Sequence, residues 1–350
     1  MKQHRLLVII SFLLVLSHEL QSQVARREDY WTLGVQVNAF NYFGDLNPLN
    51  RRVSTEISFT RPNFAFEVTR KIGSRFHLRG SLGYGRLRGD DYVAADPDKP
   101  ESLGRYGRNL HFRSDIVELA FTTIFEIFPS RGRFYRRRYL TPYIFAGIAG
   151  FYHNPKARVP IDFASPEGGA APGDWVALKP LRTEGQGQGP GYGKEYSLVQ
   201  FAVPLGGGVR WRINDRMDLS FEMGFRILFF DHIDDVGGRY PDIRDLPSAL
   251  SRAMFDRSAE SIAAAAGGTR DIARISETLG ALTNLYGTPT DQVDINTLFP
   301  GENLERLLSY GIRGDKRGNA PGDNDMYLVT GFRLNYILTT RRYPRLKTRF

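Results

Sequence analysis

The chain contains no cysteine. That excludes disulfides, thiolate metal sites and a lipid-modified cysteine behind the N-terminal segment. Long apolar runs are also missing. The one sustained apolar stretch, Leu6 to Leu16, is too short for a bilayer-spanning helix, which needs about 20 residues. No later segment comes close, so helical membrane spans are excluded. Histidine is scarce: beyond residue 22 only His77, His111, His153 and His232 remain, too scattered to form a zinc site.

What is present starts at the N-terminus. Lys2, His4 and Arg5 precede the apolar stretch, and Ser17 to Gln23 turn polar. Charged start, short apolar centre and polar exit predict a secretory signal peptide over residues 1–22, with Ser22 before the cut and a mature chain of 23–350. The formal net charge is +9, and removing that segment leaves the chain basic. An exported chain without a reading motif is not expected to bind nucleic acid. Two routes remain: a soluble secreted protein, or a β-barrel in an outer membrane. Aromatic residues make up 13% of the chain, mostly Phe and Tyr. That suits lipid-facing surfaces and interfacial girdles.

Periodicity points the same way. Leu219, Phe221, Met223, Phe225, Ile227 and Phe229 share one parity, and Ser220, Glu222, Gly224 and Arg226 the other. A period of two places these sets on opposite faces of a strand. Eight such segments are expected. The first four are Tyr30–Tyr42, Asn63–Lys71, Arg75–Arg86 and a segment through Val117, Leu119, Phe121 and Phe125 opposite Glu118, Thr122 and Glu126. Then follow Tyr143–Tyr152, apolar on both faces, Leu198–Trp211, the 217–230 strand and Met326–Leu338. An even number is what single-chain bacterial barrels require. Pro204 inside the sixth strand predicts a bulge. The fourth strand is expected to change phase near Ser114–Ile116.

Connections alternate in length. Short turns fall at Ile72-Gly73-Ser74, at Pro129–Tyr139 and at Ile213-Asn214-Asp215; long ones span 43–62, 87–109, 153–197 and 231–325. This asymmetry predicts periplasmic turns and extracellular loops, which a soluble sandwich has no reason to show. Residues 165–193, with Gly185-Gln186-Gly187-Gln188-Gly189, read as a flexible tip rather than a phosphate cradle. In the 231–325 loop, Ile272, Ile275, Leu279, Leu282 and Leu285 recur at helical steps behind Thr269 as N-cap, and Ser258–Ala266 is helix-prone. A helical insert over the outer mouth follows.

The expected fold is an all-β, eight-stranded antiparallel transmembrane barrel with a small helical insert in its last loop. Eight strands leave room only for side chains in the lumen. The charges predicted to face inward are Glu67, Arg79, Glu118, Arg210, Glu222, Arg226 and Arg333. They should pair, because an unpaired buried charge is costly. The densest chemistry outside the barrel is Asp231-His232-Ile233-Asp234-Asp235. A His beside carboxylates is able to activate water, and clustered carboxylates are able to bind calcium. With no nucleophile partner in view, a hydrogen-bonded turn is the expectation, with no catalytic, cofactor or metal residues. Arg131, Arg133, Arg136, Arg137 and Arg138 crowd the largest periplasmic turn. Arg341, Arg342, Arg345, Lys347 and Arg349 crowd the 339–350 tail on the same side. Such clusters suit inner-leaflet head groups or an acidic periplasmic partner.

Several segments carry a resemblance. Phe40-Asn41-Tyr42-Phe43-Gly44-Asp45-Leu46-Asn47-Pro48 closes the first strand. Tyr143-Ile144-Phe145-Ala146-Gly147 through Tyr152-His153-Asn154-Pro155 spans the fifth. Asp231, Asp234 and Asp235, with Val236 and Tyr240, follow the seventh. In content and order they resemble the PorG-like outer-membrane β-barrels of the Bacteroidetes type IX secretion system. The resemblance implies a barrel without enzymatic activity that anchors a periplasmic ring, made of a lipoprotein and its partner, to the outer membrane. The 231–325 loop is longer than that pattern, and the arginine-rich tail departs from it. The alternative is a general surface barrel that acts in adhesion or small-ligand binding through its extracellular loops. Oligomeric state is not legible.

Overall fold

A computed structural model describes residues 29–47, 57–96, 98–130, 134–164, 169–258, 260–265, 267–271, 313–318 and 324–338. The signal-peptide segment, the helical pattern at 272–285 and the 339–350 tail lie outside the described residues.

The strands are β1 (Trp31–Phe43), β2 (Arg61–Ile72), β3 (Phe76–Asp90), β4 (His111–Glu126), β5 (Leu140–Tyr152), β6 (Pro155–Arg158), β7 (Trp175–Ala177), β8 (Val199–Arg212), β9 (Met217–Leu228) and β10 (Met326–Leu338). Eight of them, all but the short β6 and β7, pair antiparallel with their sequence neighbours. The first and last pair from Trp31↔Leu338 to Phe43↔Met326, which closes the sheet. Closure removes every edge and satisfies the backbone inside a bilayer. The short β6 extends β5's pairing with β4 (Arg113↔Lys156), and β7 pairs with β6.

The alternation sorts side chains by face. Outward positions carry Trp31, Leu33, Val35 and Val37 on β1, Phe64, Phe66 and Val68 on β2, and Leu119 and Phe121 on β4, all exposed. Phe66 and Phe201 are 72% and 71% exposed. In water such a surface invites aggregation; in lipid it is the required exterior. Tyrosine and tryptophan mark its two rims. Trp31, Tyr139 and Tyr336 lie at the short-turn end, and Tyr84 and Tyr152 lie toward the loops.

The lumen has two halves. Near the short turns it is polar. Near the loops it is an apolar core: Phe40, Tyr42, Phe112, Ile116, Phe151, Leu228 and Tyr327 point inward. There, with Leu87 of β3, they meet the loop residues Leu46, Leu110, Ile233 and Val236. The long loops therefore fold down onto the barrel mouth and bury their own apolar groups there, each large side chain contributing about 1.5–3 kcal/mol.

This second half corrects several expectations. The fourth strand does not change phase: β3 and β4 stay in one register from Phe76↔Phe125 to Asp90↔His111. Ile116 is apolar yet faces inward because the upper lumen is apolar. Pro204 produces no bulge either. Its ladder with β9 is continuous, and the β5–β8 pairing skips Gly147 and Ile148 with the same register on both sides. Proline removes one donor, and the structure leaves that bond out rather than inserting a residue. Gly206 and Gly224 face each other across β8 and β9. A Cβ on either would lie 2.7 or 2.5 Å from the Phe145 ring, so the two glycines make the niche for that ring.

Two loop expectations also fail. The described residues of Ser258–Ala266 are not helical, since Ile262 bridges to Thr269, and the helical pattern that Thr269 would cap lies outside the described residues. The helix lies earlier, at Ala249–Phe255, with Ser248 as N-cap accepting from the Ser251 N–H at 3.1 Å. The Gly-rich 185–189 stretch is only partly a tip. Thr183, Glu184 and Gln186 are buried, because Glu184 holds the loop to the cap through the bonds described below.

Candidate functional site

All seven charges expected to face inward are buried in the lumen or line it, and they fall into three groups. Glu222 takes Arg79 at 2.9 Å, Arg333, and the Tyr143 hydroxyl at 3.1 Å. Glu67 lies 3.4 Å from Arg333 and 3.9 Å from Arg79, and accepts from the Gln36 amide. Further up, Glu118 receives Arg226 twice at 3.0 Å and the Tyr327 hydroxyl at 2.6 Å. Arg210 meets Glu126 at 2.7 Å. Arg79 also sits 4.9 Å above the Phe145 ring that the two glycines admit. Glu126, His77 and Asp218 join the network although they were not among the expected charges. Their signal was present: each falls on the inward parity of its strand. A cavity of about 20 Å³ remains among Tyr30, Glu67, His77, Arg210, Asp218 and Asn335, room for one water. This arrangement fills a barrel; it offers no substrate a place.

The outer-rim cluster is a set of clamps. Beyond β9, Asp234 accepts from the Tyr42 hydroxyl and from the Val236 N–H at 2.9 Å. Asp235, at φ +70°, accepts from Thr183 at 2.6 Å and Tyr196 at 2.7 Å. Asp325, which the sequence did not single out, accepts from the Ile233 N–H at 2.9 Å and from Tyr42 at 3.2 Å. Burial and the nearby Asp45 charge push Asp234 well above the usual carboxylate range. Burial together with Asp234, Asp45 and Asp231 does the same to Asp325. Glu184 is the other residue missed. It accepts from the Gly237 and Gly238 N–H groups at 3.1 Å each, from Arg317 at 3.2 Å, and faces His232 at 3.3 Å.

His232, Tyr196 and His153 form a stack, with ring centroids 5.4 and 5.8 Å apart. Burial would lower His232, but the hydrogen bond and charge of Glu184, with Asp235 and Asp234, raise it to about 9. Burial lowers His153 to about 4, against a bond to the Ser197 carbonyl. Asp234, Asp235 and His232 thus hold loops together, and among the described residues no hydroxyl nucleophile is placed against His232.

The remaining motif residues serve the same mouth. Gly44 and Asn47 exchange two backbone bonds of 3.1 Å, turning the chain sharply after β1. The Asn47 amide closes the turn onto the Tyr42 carbonyl at 2.7 Å. Phe43, Asp45 and Leu46 are buried, the Asp45 carbonyl receiving Arg108 at 2.9 Å. Pro48 lies outside the described residues.

At the opposite end the arginines of the 127–139 turn separate. Arg131 and Arg133 lie outside the described residues. Arg137 is buried and cannot meet a partner. It grips Asp218 at 2.8 Å and the carbonyls of Phe134, Asp215 and Asn214 at 2.7 to 2.9 Å. Arg136 and Arg138 remain exposed and, with Pro129 and Ser130, line an open groove of about 440 Å³.

Over residues 4–159 the chain matches the family described as "Domain of unknown function (DUF6089)". A search of curated proteins returns no match. Among solved structures it is similar to Ail, the attachment invasion locus protein of Yersinia pestis, in complex with the heparin analogue sucrose octasulfate. Identity there is 9%, coverage 58% of this chain and 90% of that one, and the TM-score 0.30. Neisserial surface protein A gives 8% identity, 57% and 84% coverage and a TM-score of 0.31. The N-terminal β-barrel domain of Pseudomonas aeruginosa OprF gives 9%, 58% and 89%, and 0.27. The class rests on this chain's own geometry. A closed eight-stranded sheet, an apolar exterior with aromatic rims, short turns at one end and long loops at the other define an outer-membrane β-barrel.

Proposed function

We propose that the protein is a non-enzymatic structural component of the outer membrane, and that its periplasmic face anchors the ring of a type IX secretion system, a lipoprotein and its partner. One observation carries this: the lumen is occupied by paired charges below and an apolar core above, so the barrel can act only through its ends. At the periplasmic end Arg137 fixes the largest turn by seven hydrogen bonds to Asp218 and to carbonyls of its own turn, of the next and of Met217. That leaves Arg136 and Arg138 outward as a rigid basic surface suited to an acidic partner. The segments quoted above, from Tyr42 to Asn47 and from Asp231 to Asp235, support the reading by resemblance. The test is the double reversal Arg136→Glu/Arg138→Glu, with Arg137 kept. The barrel should fold normally while recovery of the ring proteins drops about tenfold, equivalent to roughly 1.4 kcal/mol. Undiminished recovery overturns this surface as the anchor.

The folded cap favours a second reading, a surface barrel working through its extracellular loops. Deleting residues 245–320 would then abolish function while secretion continues.

A further inference from the structure

The outward face of the barrel changes character above β3, β4 and β6. Above the rim row Tyr84–Val117–Tyr152, the next outward positions on β3 and β4 are Arg86 and Asp115, directly paired. The row after that is Arg88–Arg113–Lys156, one residue from each of β3, β4 and β6, each directly opposite the next. Residues directly opposite share a face, and like charges there repel. Arg158 follows on β6. Two carboxylates lie among these five cations: Asp115 binds Arg86 at 2.6 Å and Asp90 binds Arg88 at 3.2 Å. Arg113, Lys156 and Arg158 have no salt bridge among the described residues.

The repulsion is built in. Trp175 on β7 holds Arg113 at 3.9 Å and Arg158 at 5.4 Å from its ring, so both guanidiniums are gathered at one indole. In the rim row and just below it, the outward positions on β5 and β8 are Tyr152, Val199 and Phe201, all exposed and without charge.

Height identifies the counter-charge. Two residues along a strand tilted about 40° rise roughly 5 Å, and four rise roughly 10 Å. The polar layer of a leaflet begins at the apolar boundary and is about 5–8 Å thick. Arg86 stands within that layer, and the backbone of Arg88, Arg113 and Lys156 just above it, close enough for their long side chains to reach down into it. We propose that this row binds the phosphate groups of a phosphorylated glycolipid in the outer leaflet, its acyl chains lying on the apolar strands below. Guanidiniums match phosphate oxygens two at a time, and a bound dianion converts the row from repulsive to attractive.

The test uses the full-length protein in mild detergent, with bisphosphorylated lipid A as probe and native mass spectrometry as readout. The wild type should retain lipid A. Arg88→Ala/Arg113→Ala/Lys156→Ala should lower retention about tenfold, and Arg88→Lys/Arg113→Lys should restore most of it. Lipid A stripped of phosphate should bind the wild type no better than it binds the triple variant. Inorganic phosphate should not displace the lipid at equal concentration; displacement would mean a free anion site and overturn the glycolipid assignment. Equal retention by the wild type and the triple variant, with both shown folded by heat-dependent gel mobility, would overturn the site.

Discussion

Glu222 shows how much one buried carboxylate carries. It balances Arg79 and Arg333 and accepts from Tyr143. Removing one partner of a buried pair strands the others, at a cost of about 3–5 kcal/mol. Glu222→Ala should therefore lower the urea midpoint by that equivalent, whereas Arg86→Ala should cost less than about 1 kcal/mol. The Arg86–Asp115 pair has side chains 41% and 34% exposed, and water screens it. Similar losses from both variants would contradict the placement of Glu222.

His232 is the titrating residue of the cap. Its pKa rises on folding from 6.5 to about 9. Its support is therefore complete below pH 6.5 and disappears as pH climbs through 9. Protease resistance of the cap should fall across that window in the wild type and stay flatter in His232→Gln. His153 has the opposite sign. Its pKa falls to about 4, so its contribution is present above pH 6.5 and is lost as the solution acidifies toward 4. Equal pH slopes for wild type and His232→Gln would remove Glu184–His232 as a clamp.

At the scale of elements, the strands were legible because alternation with a period of two needs no tertiary knowledge. Leu219 to Ile227 outward and Ser220 to Arg226 inward is what β9 shows. Legibility failed where the inside turns apolar. Phe112 and Ile116 looked like a change of phase on β4, because a barrel interior was expected to be polar throughout. Glu184 was hidden in a glycine-rich stretch with no periodicity to weigh. Asp325 stood one residue before β10, at the end of a long loop. Among Arg136, Arg137 and Arg138 no sequence pattern singles out the buried member, although the inward Asp218 at the foot of β9 called for a cation nearby. Phe112→Ala should cost about 3–5 kcal/mol as a core truncation. Leu119→Ala on the lipid face should cost distinctly less, a contrast that refolding titrations in lipid vesicles will measure. Arg137→Ala should open the 127–139 turn to trypsin at positions 136 and 138, with faster cleavage there than in the wild type.

For the whole molecule, the same alternation that builds the membrane face also builds the plug. Paired charges and an apolar cap leave a cavity of about 20 Å³ in the lower lumen. Purified protein in planar bilayers should show no steady ion conductance, and a stable open level would contradict the filled lumen. On the proposed reading the two ends carry the function: an ordered cap with a basic strip outside, and a fixed basic turn inside.

The central claim is that the inner end is the anchor. Its most direct test is site-specific crosslinking in native membranes, with a photoreactive residue placed at position 136 or 138 and, separately, at 161 on the exposed cap. The account predicts that 136 and 138 capture a periplasmic lipoprotein of the secretion ring and that 161 does not. Capture of surface components from 161, with none from the periplasmic turn, would contradict it.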